Sequence, residues 1–381
     1  MSGFAVSKPE QSHYRLFDFA KTAIINIFAH PYTTVCELYC GGAPDTDKWE
    51  AAPIGHYIGI DTSSSGISSV REAWESQRKN YDVEFFEADP SKARPSLLNL
   101  CFSFFSCDDL EIQLQKKLGQ ADLVSCWRHL QLCFETEESA RRLLTNVACL
   151  LKPGGYFFGI TPDSSTIWAK YQKNVEAYHN RSGAKPNVFP NYIRSESYMI
   201  TFELEEEKFP LFGKRYQLKF SGDNASEDHC LVHFPSLIRR VLGHHDLTFL
   251  LAREAGLEYV EIQSLTDFYD DNRAQFASLL MNAGPNFVDP RGKLLPRAFD
   301  LLGLYATFIF QKPDPDLEPP LTTPIPFESS NNHDEAKLPV ITVITDASAP
   351  AEDPSQGLGK ISEQKGILGP GPADLRFSEA I

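Results

Sequence analysis

TTVCELYCGGAPDTDKWEAAPIGHYIGID, residues 33–61, reads as a strand, a glycine turn, a short connector and a second strand that ends on a carboxylate. Thr33 to Leu38 is β-branched and apolar and breaks at Tyr39-Cys40-Gly41-Gly42, and the run His56-Tyr57-Ile58-Gly59-Ile60 stops at Asp61. In an open α/β sheet a nucleotide lies across the carboxyl ends of the strands, where glycines let the backbone come close and an acid about 20 residues on binds ribose hydroxyls. Glu37 and Asp61 occupy those two places. A Gly-Gly turn alone also fits an ordinary loop, and Asp61 also fits a helix cap for the residues from 63 onward. The flanking chain carries the weight.

Upstream, residues 12–30 set Leu16, Phe19, Ala20, Ala23, Ile24 and Ile27 at helical spacing. Downstream, Ser63 to Arg78 reads as a helix and Val83 to Asp89 as a third strand, again ending in an acid. Asp108 to Gly119 reads as a helix and Ala121 to Trp127 as a fourth strand. Thr136 opens a helix with apolar positions from Ala140 to Leu151, Lys152-Pro153-Gly154-Gly155 ends it, and Tyr156 to Thr161 is a fifth strand. Alternating strands and helices predict a parallel sheet with right-handed crossovers. Glu37, Asp61 and Asp89 at three successive strand ends are a stronger signal than any one of them.

After Pro162 the rhythm changes. A helix is expected over Ser164 to Asn180, two strands within 198–220, a helix over 234–255, and paired strands at Leu257 to Gln263 and Tyr305 to Gln311 that close the sheet. Residues 181–233 are too short to bury much core alone and read as an insertion lining the site. The folded domain is expected to span 1–312. From Pro313 the chain holds 11 of its 26 prolines among acids and serines, so 313–381 reads as a disordered acidic tail in which a protein partner could find a short motif.

At 381 residues and 42% hydrophobic content the chain can bury a sizeable core. No apolar run reaches the roughly 18 residues of a membrane span, and the first residues lack the layout of a secretion signal. The eight cysteines form no CxxC pair and several sit in apolar runs, which fits buried thiols in the cytosol or nucleus. The net charge of −15 divides into −8 on the last 69 residues and −7 on the rest. A protein that grips a long polyanion shows a basic surface. No DNA partner is therefore expected, and any nucleic-acid contact should be local. His229 and His233 lack the cysteine or carboxylate spacing of a metal site, and none is expected.

Across residues 13–312 the sequence resembles the mRNA cap guanine-N7 methyltransferase family, in its plant-type second form. The resemblance rests on Phe17-Asp18-Phe19-Ala20-Lys21-Thr22, Val35 to Trp49, Gly59-Ile60-Asp61, Glu87-Ala88-Asp89, Val124-Ser125-Cys126, Phe134 to Leu144, Leu151 to Phe157, Thr161-Pro162-Asp163-Ser164, Pro210-Leu211-Phe212-Gly213 and Leu231 to Pro235, in that order. It implies an α/β fold of the class I methyltransferase, Rossmann-like type, with a mostly parallel seven-stranded sheet and helices on both faces. It also implies S-adenosylmethionine as cofactor, 5′-capped RNA as substrate and the nucleus as compartment. Carried over by position, cofactor contacts fall on Lys21, Tyr39, Asp61, Asp89, Pro90, Cys126 and Trp127. Substrate contacts fall on Phe17, Asp18, Gln131, His229 and Tyr305.

The chain departs from the family pattern at several of these places. Tyr39 replaces the first glycine of the turn and Gly42 a lysine that meets the cap phosphates. Gln131-Leu132 replaces a cap-facing His-Tyr pair, and His229 aligns with a glutamate on the guanine edge. Trp127, Arg128 and His129 offer other stacking or cationic contacts. Guanine N7 has a free lone pair, so methyl transfer to it needs alignment with the donor methyl and no catalytic base. A non-catalytic or regulatory relative that keeps the fold, and a methyltransferase with a changed acceptor, are the alternatives.

Overall fold

The computed structural model describes residues 12–41, 45–77, 79–92, 119–127, 129–180, 191–203, 211–221, 223, 225–234, 237, 251–283 and 287–316. The chain divides into two compact units, Met1–Asp314 with Leu368–Ile381, and Pro315–Ile367. All the elements below belong to the first. The expected helices over 108–119 and 234–255 and the tail lie wholly or largely outside the described residues.

The helices are α1 (Ser12–Phe28), α2 (Thr46–Ala51), α3 (Ser64–Gln77), α4 (Leu130–Cys133), α5 (Glu137–Leu150), α6 (Ser164–His179), α7 (Leu251–Glu254), α8 (Leu265–Ala283) and α9 (Pro296–Leu302). The strands are β1 (Thr34–Leu38), β2 (His56–Asp61), β3 (Asp82–Glu87), β4 (Ala121–Trp127), β5 (Leu151–Pro162), β6 (Tyr192–Arg194), β7 (Tyr198–Phe202), β8 (Arg215–Phe220), β9 (Glu227–Cys230), β10 (Glu258–Ser264) and β11 (Tyr305–Gln311).

Seven strands form one mostly parallel sheet in the order β10-β11-β5-β4-β1-β2-β3, the Rossmann-like arrangement expected from the sequence. β1 to β5 pair in parallel, and β11 runs antiparallel to both β5 and β10. The chain leaves β1 toward β2 on one side and returns to β4 on the other. The strand order reverses between β1 and β4, whose carboxyl ends mark the crevice where such sheets bind ligands.

The local signals act as physical chemistry requires. Thr136 accepts the Ser139 N–H at the start of α5, with Glu137 and Glu138 in the first turn facing the helix dipole. Asp163 likewise accepts from Ser165 and Thr166 at the start of α6. Ala140, Leu143, Leu144 and Val147 of α5 are buried against one face of the sheet. Leu16, Phe19, Ala20, Ala23 and Ile24 of α1 are buried against the other.

Three features differ from expectation. β5 begins at Leu151 rather than Tyr156, because Lys152 to Gly155 bulge out of the ladder between the β4 partners Ala121 and Leu123, with Gly154 at φ 77°. Between Gln263 and Tyr305, where the sequence pattern marks no element, lie α8 and α9. The segment after α6 forms a second, four-stranded antiparallel sheet, β6-β7-β8-β9, beyond the two strands expected. Its inner residues Ile200, Phe202, Tyr216, Leu218 and Phe220 join the core that holds α1 and α8.

Among the described residues no helix is long and apolar enough to cross a membrane, and no group of His, Cys, Asp or Glu could hold a metal ion.

Candidate active site

Glu37, the last residue but one of β1, is buried beneath the carboxyl end of the strand. Its Oε2 accepts the Trp49 indole N–H at 2.8 Å and the Tyr57 hydroxyl at 3.1 Å. Burial, and next the neighbouring Asp45 charge, push its carboxyl up to about 7, against the opposing pull of Lys21 and the two donors. The native state thus holds a proton that the unfolded chain, with an ordinary value of 4.5, has already released. Stability falls as pH rises from the unfolded value through the folded one. Glu37→Gln keeps an acceptor for Trp49 and Tyr57 and removes the titration. From about pH 5 to about pH 7.5, Tm of the wild type is expected to fall by several degrees more than that of the variant, read by thermal scanning.

Asp45 is also buried, and its charge is retained. Burial works to raise its carboxyl, but Lys21 and Lys48 together hold it below the usual carboxylate range. Lys21 Nζ donates to Oδ2 at 2.6 Å and Lys48 Nζ to Oδ1 at 2.9 Å, while Lys48 also pairs with exposed Asp18. Lys21 Nζ lies 5.7 Å from the Trp127 ring centre, a cation–π contact. The buried Trp127 indole N–H has no hydrogen-bond partner among the described residues, an unused donor beneath the crevice.

At the end of β2, Asp61 binds backbone with both oxygens. Gly41 N–H donates to Oδ2 and Ser63 N–H to Oδ1, each at 2.8 Å. The carboxylate therefore clamps the glycine turn to the start of the following helix. Both Gly41 and Tyr39 adopt positive φ, 54° and 55°. For tyrosine this left-handed conformation is strained, and side-chain contacts offset the cost. Its ring stacks on His129 at 5.0 Å and 9°, and its hydroxyl donates to Asp89 Oδ1 at 3.0 Å. Burial foremost keeps the Tyr39 hydroxyl protonated, well above its ordinary range.

Asp89, just past β3, accepts from the Ser91 N–H and hydroxyl and pairs with Lys92. Partial burial raises its carboxyl, but the donors from Ser91, Lys92 and Tyr39 outweigh this and hold it below the usual range. Pro90 is buried, and its carbonyl accepts from Asn146 at 2.7 Å.

The substrate-side candidates form two groups. Phe17 meets Tyr305 edge-on at 4.6 Å and Phe220 at 6.2 Å. Gln131 Nε2 lies 3.0 Å from His229 Nδ1, both side chains buried, and His229 Nε2 lies 3.1 Å from Glu227 Oε2. An amide N–H can donate only to an unprotonated Nδ1, so the His229 proton sits on Nε2 and faces Glu227.

The structure thus brings Lys21, Trp127 and Asp18 together through Asp45 and Lys48, and Tyr39 with Asp89 beside Asp61. Cys126 stands apart. It is fully buried in the hydrophobic cluster behind the sheet, where burial pushes its thiol far up. Arg128 lies outside the described residues. Sequence reading passes over Asp45, although it lies inside the 33–61 stretch, and over Ser91 and Glu227, which no local pattern marks. His129 enters as a partner of Tyr39.

These residues suit a group with ribose hydroxyls, an amine and a positive centre. Carboxylates stand at the ends of β2 and β3, backbone approaches at Gly41, and the Trp127 N–H is unused.

The family model for the mRNA (guanine-N(7))-methyltransferase domain matches residues 13–313. The chain is 90% identical over 381 residues to mRNA cap guanine-N(7) methyltransferase 2 of Arabidopsis thaliana, with both chains fully covered. It is 57% identical to mRNA cap guanine-N(7) methyltransferase 2 of Oryza sativa subsp. japonica, covering 96% of this chain and 98% of the relative. To the rice protein named mRNA cap guanine-N(7) methyltransferase 1 the identity is 27%, over 78% of this chain and 74% of that one.

Proposed function

Because this chain belongs to the mRNA (guanine-N(7))-methyltransferase family, we propose that it methylates N7 of the guanine in the 5′ cap of mRNA, with S-adenosylmethionine as methyl donor. The observation that carries this reading is the family match across residues 13–313, and the carboxylates at the crevice of a class I methyltransferase sheet support it. The cofactor supplies a methyl group on a sulfonium, which guanine N7 takes with its own lone pair.

The protein's part is placement and charge. Asp61 orders the glycine turn and offers its remaining lone pairs to ribose hydroxyls. Asp89 stays ionised and accepts from an amine. The Asp61 and Asp89 carboxylates add negative charge at the strand ends, which favours a cationic group there. Lys21, tethered by Asp45, supplies a localised cation for a carboxylate. Phe17 and Tyr305, packed edge-on in the core, brace the substrate side from within, and Gln131, His229 and Glu227 supply polar groups toward a splayed-out base. No side chain needs to take a proton from N7.

The test is transfer of labelled methyl to GpppA-capped RNA, with the product digested to nucleosides. N7-methylguanosine is the expected product. Cofactor binding without any N7 product would overturn the reading. The nucleus is proposed as the compartment, supported by the cap substrate and checked by imaging the tagged full chain. The acidic tail is proposed to carry a protein-binding motif, checked by comparing partners of the full chain with those of residues 1–316.

A further inference from the structure

We infer that the outer face of the small sheet carries the RNA chain that follows the cap, an inference that rests on the cap-methyltransferase reading. Alternation along β7 and β8 turns Tyr198, Ile200, Phe202, Tyr216, Leu218 and Phe220 into the core. The same alternation turns Met199 and Lys219 outward. Met199 is the register partner of both Arg194 on β6 and Lys219 on β8. Arg194, Met199 and Lys219 therefore form one row across three strands. Tyr192, two residues before Arg194 and on the same face, leaves 49% of its surface exposed.

The row opens into a cleft of about 900 Å³, also walled by Tyr198 and Phe220, with Glu196 the acid in its lining. The sheet that carries the row packs on the candidate active site through its inner face, where Phe220 meets Phe17 and Phe17 meets Tyr305.

Charge identifies the occupant. Arg141, Arg142, Lys170 and Arg215 each pair with a carboxylate. Arg194 and Lys219 have no such partner among the described residues, on a chain whose net charge is −15. Unneutralised cations beside an exposed aromatic ring and a thioether suit single-stranded RNA, whose phosphates take the cations and whose bases stack. The general acidity of the chain confines the grip to a few nucleotides, which distinguishes a local track from a polyanion groove.

The full chain is tested with fluorescent GpppA-capped RNA of about 20 nucleotides and with the GpppA dinucleotide, by anisotropy and by methyl transfer. The wild type should bind the long RNA at least about 10-fold tighter than the dinucleotide. Arg194→Ala with Lys219→Ala should erase that advantage, leave KM for the dinucleotide unchanged, and flatten the plot of log Kd against log salt by about 1.4, near 0.7 for each phosphate left without its cation. The exchanged pair Arg194→Lys and Lys219→Arg should retain the binding. Equal wild-type affinity for both ligands, or an equal loss for both in the alanine variant, would overturn the track. Failure of methyl transfer with both ligands would sink the functional reading instead, while anisotropy would still report on the track.

Discussion

Asp61→Ala is expected to lower affinity for S-adenosylmethionine by at least about 100-fold in a calorimetric titration. A carboxylate hydrogen bond contributes roughly 1.5–3 kcal/mol, and two ribose hydroxyls present two of them. The substitution acts twice, since it also frees the Gly41 and Ser63 N–H groups that Asp61 holds at 2.8 Å. Leaving these without an acceptor costs about 1–3 kcal/mol of stability, so the titration is run well below the variant's Tm. Asp61→Asn separates the two effects, because its amide oxygen keeps one backbone donor while the charge is lost. If Asp61→Asn binds cofactor as the wild type does, the carboxylate's role is the turn alone.

Gly159→Ala is expected to prevent folding, or to cost more than about 4 kcal/mol by denaturant titration. A Cβ at this position would lie 1.9 Å from the Cys126 carbonyl oxygen and 2.7 Å from the Phe308 ring. Gly159 pairs with Cys126 on one side and Phe308 on the other, at the centre of the sheet. Neither backbone can retreat without breaking a ladder. Because β4 leads directly into Trp127, a variant that still folds should also bind cofactor more weakly. Folding with Tm within a few degrees of the wild type would show that β4 and β5 separate more easily than their register implies.

These two residues mark the boundary between what sequence reading reaches and what it misses. Asp61 is legible because strand alternation, the glycine break and the terminal acid are local patterns. Gly159 is not. In Phe157-Phe158-Gly159-Ile160 nothing nearby says that two other backbones close on that position. Likewise β11 is legible from its apolar run, while α8, with Asp267, Asp270, Asp271 and Arg273 along it, lacks a clean apolar stripe. Its core residues Phe268, Tyr269, Phe276 and Leu280 gain meaning only against α1.

The sequence by itself determined the alternating α/β order, the acids at the ends of β1 to β3 and the family, since each rests on local period or on motifs in order. Only the tertiary structure decided that Asp45 is the shared counter-ion of Lys21 and Lys48, and that Tyr39 survives a left-handed turn by stacking on His129. It also decided that Gln131 meets His229 across 98 residues, and that Arg194 and Lys219 share a row outside the small sheet. The physical reason is the same in each case. Charge pairing, stacking and steric closure depend on distances between chain segments, which spacing along one segment does not encode.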